Sequence, residues 1–353
     1  MRTFILTLLL LNVLISCKTT NITYKAISNT DYNSVTIDTL FQDKISIRAI
    51  LIDKKKIWYA ADKGRYGFYN LDNKQKFENT ISKDSNKLEF RSIASSKKHV
   101  FILNVGNPAL LYQISKDGKK TKLVYQENHE KVFFDSMQFW NDKEGIAIGD
   151  PVADCLNVII TRDGGNSWNK ISCDKLPKVI DGEAAFAASN TNIIIKGENT
   201  WIVSGGKKSR VFYSADKGIS WTVFDTPIVQ GKAMTGIFTA DFFNDQIGFI
   251  AGGDYESLSQ NFSNKATTTD GGKTWRLIAE NQAFGYASCV QYIPGSNGEE
   301  LVTVGFSGIY YSADGGSSWK QLATDPTLHT IRFIDGHTAI AAGQNKIVRI
   351  RFK

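Results

Sequence analysis

The chain has 353 residues, 42% of them hydrophobic, 12% aromatic and 22% charged, with a formal net charge of +7. That length exceeds a typical single domain, but repeat architectures and large β folds commonly run this long as one unit. Its 42 basic and 35 acidic residues are interspersed, with no Lys/Arg-rich run, which excludes a nucleic-acid stripe and leaves a mildly basic surface.

Residues 1–16 read as a secretory leader: Arg2 supplies the charged start, and the apolar run Phe4 to Ile15 is too short to remain as a membrane span. Leu14-Ile15-Ser16-Cys17 looks like the bacterial lipobox, whose cysteine is acylated and becomes the new N-terminus. Each buried acyl carbon adds about 0.8 kcal/mol to anchoring. The bland alternative is an ordinary leader with an incidental Cys17. Lys18 stands where an inner-membrane retention signal places Asp, so the expectation is an exported lipoprotein of the outer membrane, its side left open. Residues 17–33 are polar and aperiodic, as a tether is, and residues 34–353 are read as one domain. Without residues 1–16 the chain loses only Arg2 from its charge, leaving +6.

Further along, self-similarity dominates. Thr161-Arg-Asp-Gly-Gly-Asn-Ser-Trp168, Ser214-Ala-Asp-Lys-Gly-Ile-Ser-Trp221, Thr268-Thr-Asp-Gly-Gly-Lys-Thr-Trp275 and Ser312-Ala-Asp-Gly-Gly-Ser-Ser-Trp319 share the Asp-box pattern Ser/Thr-x-Asp-x-Gly-x-Thr/Ser-Trp. Asp163, Asp216, Asp270 and Asp314 are expected to accept backbone N–H groups in tight turns opened by glycine. Trp168, Trp221, Trp275 and Trp319 are expected to fold back between sheets. This structural reading is preferred to a carboxylate row for catalysis or calcium. Degenerate copies at Ser115–Lys122 and Asn70–Phe77 extend the series, so the aspartates stand at 72, 117, 163, 216, 270 and 314, and each step suits a four-stranded blade.

Between the turns the chain alternates as short strands: 133–140, 145–150, 156–161 and 168–172 in one repeat, and 237–243, 248–253, 265–268 and 275–279 in another. After the last box, 329–334, 338–343 and 347–352 supply three strands, and residues 34–41 are expected to supply a fourth. The expectation is an all-β, seven-bladed propeller of four-stranded antiparallel blades, its last blade closed by an N-terminal strand. The blades would fall at roughly 45–83, 87–128, 131–176, 180–228, 232–283, 284–324, and 328–353 with 34–41.

Cys155, Cys173 and Cys289 match no zinc spacing. Cys155 and Cys173 lie equidistant from Gly164 in a hairpin, so either a disulfide or two buried thiols fits. His99, His129, His329 and His337 fall in different elements, giving no metal site, and no dinucleotide or haem fingerprint appears, so no cofactor is expected.

The pattern Ser136-Met-Gln-Phe-Trp-Asn-Asp-Lys-Glu-Gly-Ile-Ala-Ile-Gly149, followed by the box at 161–168, resembles the photosystem II stability/assembly factor-like propellers over nearly the whole domain. More loosely, the boxes resemble those of sialidases, xyloglucan-active glycoside hydrolases and sortilin-type receptors. Arg48-Ala49-Ile50 departs from the Ile-Pro that follows the first sialidase arginine. The resemblance implies a fold that hosts enzymes, receptors and scaffolds alike. It also implies a binding face made by second-to-third strand loops and the entries of inner strands, opposite the box turns.

Those loops carry Asp62, Lys63, Arg65 and Tyr66; Asn107; Asp150 and Asp154; Lys207, Lys208 and Arg210; Asp254, Tyr255 and Glu256; Phe306; and Gln344 and Asn345. The inner strands add Arg48, Arg91, Asp135, Glu183, Tyr286 and His329. From these, Arg48, Arg91, Arg65, Tyr66, Lys207, Arg210, Tyr255, Tyr286 and His329 are the candidate ligand contacts of a monomeric, non-catalytic scaffold that captures an envelope protein segment or a glycan. The alternative is a glycoside hydrolase or lyase using two of Asp150, Glu183, Asp254 and Glu256 as acid and base. The membrane is met by the lipid anchor only, and nucleic acid is not a partner.

Overall fold

The computed structural model describes residues 31–83 and 88–353, which form antiparallel strands joined by turns and loops. The expected leader at 1–16 and Cys17 lie outside the described residues, as does the tether except for Asp31–Asn33. Tyr32 is buried there, its hydroxyl donating to the Gly336 carbonyl at 2.8 Å, beside Tyr311 and Phe352.

The strands make an all-β propeller of six hydrogen-bonded sheets, four with four strands and two with six, so six blades replace the seven expected. The reason lies in one continuous strand, Val35–Asp53, 19 residues long. Its first half pairs with the chain's last strand, from Val35 opposite Phe352 to Gln42 opposite Lys346. Its second half pairs with Lys56–Ala61, from Ile47 opposite Ala61 to Asp53 opposite Lys56. The two repeats expected to stand apart as first and last blades are thereby fused into one sheet running from Leu328–Asp335 to Lys76–Thr80. Asp38 ties the joint further, meeting both Arg349 and Arg351. In the other six-stranded sheet, Glu183–Ala184 and Gly205–Gly206 add a short pair beside Thr235–Phe242.

Alternation puts one apolar row on each face of each sheet, and the rows of neighbouring sheets interlock. Phe101 and Leu111, for example, pack on Phe134, Met137, Ala147 and Trp168 of the next sheet. Rings reinforce the seams, as where Trp201 stacks on Phe242 at 4.0 Å. The four Asp-Gly-Trp turns are hydrogen-bonded in one way. In the first, Asp163 Oδ1 accepts the N–H groups of Asn166 and Ser167 at 2.9 and 3.0 Å, and its Oδ2 accepts the Ser167 hydroxyl at 2.7 Å. Gly164 and Gly165 sit at φ 78° and 80°, where a Cβ would be strained. Equivalent bonds hold Asp216, Asp270 and Asp314. They favour the charged carboxylate, and Asp270 is lowered to about 2 despite the opposing effect of its partial burial. Three of the tryptophans, Trp221, Trp275 and Trp319, donate their indole N–H back to a turn carbonyl.

Cys155 and Cys173 are disulfide-bonded, with Cα atoms 5.5 Å apart, and Cys289 is a buried free thiol.

Candidate functional site

Where the sheets converge, residues 184–191 (Ala-Ala-Phe-Ala-Ala-Ser-Asn-Thr) leave their sheet and cross the central space. Alanine and serine leave this stretch no alternating apolar row to dock on a sheet, so it is held by single bonds to its own sheet, to other sheets and to the loops beside them. The Ala185 N–H donates to Asp150 Oδ1 at 2.8 Å, and the Ser189 hydroxyl donates to the Ser288 carbonyl at 2.6 Å. Asn190, at φ 60°, accepts the Met137 N–H and donates to the Ile93 carbonyl, both at 2.9 Å. Thr191 meets Thr239 at 2.8 Å, and Arg332 donates to the Ser189 carbonyl at 3.0 Å. This segment, the plug, is therefore tied to strands of four sheets, Phe90–Ser95, Phe134–Phe139, Thr235–Phe242 and Leu328–Asp335.

Above the plug lies a cavity of about 540 Å³ lined by Arg48, Arg91, Phe133, Asp150, Ala184 to Ala188, Met234, Phe238, Tyr255 and Tyr286. A smaller one of about 80 Å³ adjoins it and shares Arg48, Tyr255 and Tyr286, adding Phe306 and His329. Aromatic rings make the apolar wall: Phe186 stacks on Phe238 at 4.0 Å, Phe238 meets Tyr286 edge-on at 4.8 Å, and Tyr286 meets Tyr255 at 5.0 Å.

The charged groups are unevenly satisfied. Arg91 pairs with Glu89 at 2.6 Å. Arg48, half-buried, has no carboxylate partner among the described residues and makes only a 3.5 Å contact with the Ala188 carbonyl. Asp150 is pushed up to about 6 by burial, which the Ala185 N–H only partly offsets. Behind it, Asp135 is fully buried with neither carboxyl oxygen in a hydrogen bond. Burial first, then repulsion from Asp150, raise Asp135 well above the usual carboxylate range, while Arg91 and a weak approach of the Ala187 N–H pull the other way. Burial and then the charges of Arg48 and Arg91 hold His329 down to about 3, and burial raises Tyr286 to about 12.

Of the candidates read from sequence, Arg48, Arg91, Tyr255, Tyr286 and Asp150 meet at the main cavity, and His329 at its annex. The rest lie elsewhere. Arg65 bridges Asp43 and Glu78. Tyr66 is buried, its hydroxyl on the Gly118 carbonyl at 3.1 Å. Arg210 chelates the buried Glu183 at 3.0 and 2.5 Å, which uses both candidates at once. Lys207 is exposed, 3.8 Å from Asp181. Asp254 caps the Glu256 N–H at 2.9 Å and pairs with Lys232 at 3.2 Å, while Glu256 is exposed. Sequence reasoning missed the plug and the rings Phe133, Phe186 and Phe238. The one available signal was the break in alternation at Ala184–Ser189, which no strand needs.

No family model matches the chain, and no curated protein matches it. Solved structures do match. One is YCF48 bound to a D1 peptide, with TM-score 0.64 and 14% identity over 91% of this chain and 97% of that one. Another is YCF48 from Cyanidioschyzon merolae, with TM-score 0.62 and 12% identity over 91% of this chain and 98% of that one. A third is the GH74 xyloglucanase from Xanthomonas campestris, with TM-score 0.64 and 13% identity over 90% of this chain and 54% of that one. At such identities the likeness is one of fold, and the fold it shows is the β-propeller.

Proposed function

We propose that this protein is a non-catalytic scaffold that captures a segment of a partner protein in the cavity above the plug. The observation that carries the reading is Arg48, a half-buried guanidinium without a carboxylate, set among aromatic rings over an apolar floor. A buried unpaired charge is costly, and an incoming anionic group relieves that cost while side chains fill the cavity. One similar propeller, YCF48, is bound to a D1 peptide, which supports a peptide-type occupant. Anchoring through Cys17 in the outer membrane, with an envelope partner, completes the proposal and rests on the leader sequence alone.

A hydrolase needs two carboxyls facing one cleft roughly 5 to 9.5 Å apart. Only Asp150 of the four candidates lines the cavity, and Asp135 behind it has no exposed surface. The decisive experiment is capture of crosslinked partner from envelope extract by wild type and by the triple variant Arg48→Gln, Arg91→Gln, Tyr255→Ala. Loss of a defined partner in the variant is the expected result; an undiminished catch defeats the reading.

A further inference from the structure

Asp150 and the Arg48 guanidinium line this cavity, the fully buried Asp135 lies behind Asp150, and the protein supplies few hydrogen bonds to either carboxyl. Asp150 has one, from Ala185, and Asp135 has only a weak approach from the Ala187 N–H, outside good hydrogen-bond geometry. Two negative charges so enclosed repel each other, so the pair holds a proton readily. Around it stand Arg91 on the strand Phe90–Ser95, occupied by Glu89; Arg48 on Val35–Asp53; Tyr255 and Tyr286; and His329 on Leu328–Asp335. His329, held down to about 3, and Tyr286, held up at about 12, keep their protons fixed near neutrality.

We propose that the cavity binds an anionic group and a proton together: an anion seated on Arg48 draws a proton onto the Asp135–Asp150 pair, so capture tightens on acidification. A third negative charge beside the pair raises its demand for the proton. Once protonated, Asp150 turns from a repelling acceptor into a hydrogen-bond donor toward the anion. By linkage, a ligand that raises the proton affinity of a group is itself bound more tightly when that group is protonated. This inference rests on the cavity being a capture site for an anionic group.

The probe is 3-phenylpropionate, whose ring suits the aromatic wall and whose carboxylate suits Arg48. Calorimetric titration of the whole protein in buffers of different ionisation enthalpy reads affinity and proton uptake together. Wild type is expected to bind about tenfold more tightly near pH 5.5 than near pH 7.5 and to take up a proton on binding. Asp150→Asn keeps the oxygen that accepts the Ala185 N–H and adds a permanent donor. It is expected to bind near pH 7.5 as tightly as wild type does near pH 5.5, with no pH dependence, whereas a merely structural Asp150 predicts no gain. Asp135→Asn removes the repulsion and is expected to move the midpoint of the pH profile downward. Binding that needs Arg48 (lost in Arg48→Gln) but shows neither pH dependence nor proton uptake overturns the proton coupling and leaves the capture site standing. Absence of binding, or binding indifferent to Arg48→Gln, overturns both.

Discussion

Asp150 and Asp270 are aspartates with opposite fates, and their surroundings explain the difference. Asp270 lies in a turn that offers it N–H and hydroxyl donors, so its folded pKa is below the unfolded one. Its stabilising effect is full above the unfolded value of 3.8 and is lost as pH falls from there toward about 2. Asp270→Ala is expected to cost about 1–3 kcal/mol in urea unfolding at neutral pH, and less near pH 2. Asp150 is raised to about 6 by burial, so the folded state takes up its proton first, and stability rises as pH falls from above 6 toward 3.8. Asp150→Asn is therefore expected to stabilise the protein by about 1–3 kcal/mol near pH 7.5 and to lose most of that advantage by about pH 4.5. The turn aspartates were legible in the sequence because their partners lie within four residues. The environment of Asp150 was not, because Asp135 and Ala185 reach it from other strands.

Plug, hairpin and disulfide belong to the scale of the element. Asn190 ties the plug to two other sheets through its side chain, and Asn190→Ala would leave the Met137 N–H and the Ile93 carbonyl without it, in a buried place. The expected loss is about 2–4 kcal/mol, with earlier hydrogen exchange at Met137 than in the outer strands. The Cys155–Cys173 disulfide closes a separation of 18 residues, and the double serine variant is expected to lose about 3 kcal/mol in thermal unfolding. Strand order was readable from period-two alternation, and the hairpin spacing allowed the disulfide. The plug escaped because its bonds are made by side chains and single carbonyls of distant strands, a pattern with no periodicity to read.

For the whole molecule, the repeats announced a propeller and its radial seams, while the blade count of seven was corrected to six sheets. Spacing of the turns marks repeats, but hydrogen bonding decides where one sheet ends, and Val35–Asp53 passes from the last repeat into the first without a break. Closure by that strand makes the ring cooperative: Ile37, opposite Ile350, packs against Tyr311 and Val348 in the seam. Ile37→Asp is expected to broaden and lower the calorimetric transition by more than Asp270→Ala does, since it frees both ends of the ring at once.

The plug gives the propeller's axis a direction. Residues 184–188 form one wall of the aromatic chamber, so an occupant that reaches them meets backbone tied to several sheets. Tyr255 and Phe306, 40% and 53% exposed, are the open rings beside that chamber, so the residence time of an occupant is expected to shorten in Tyr255→Ala and Phe306→Ala.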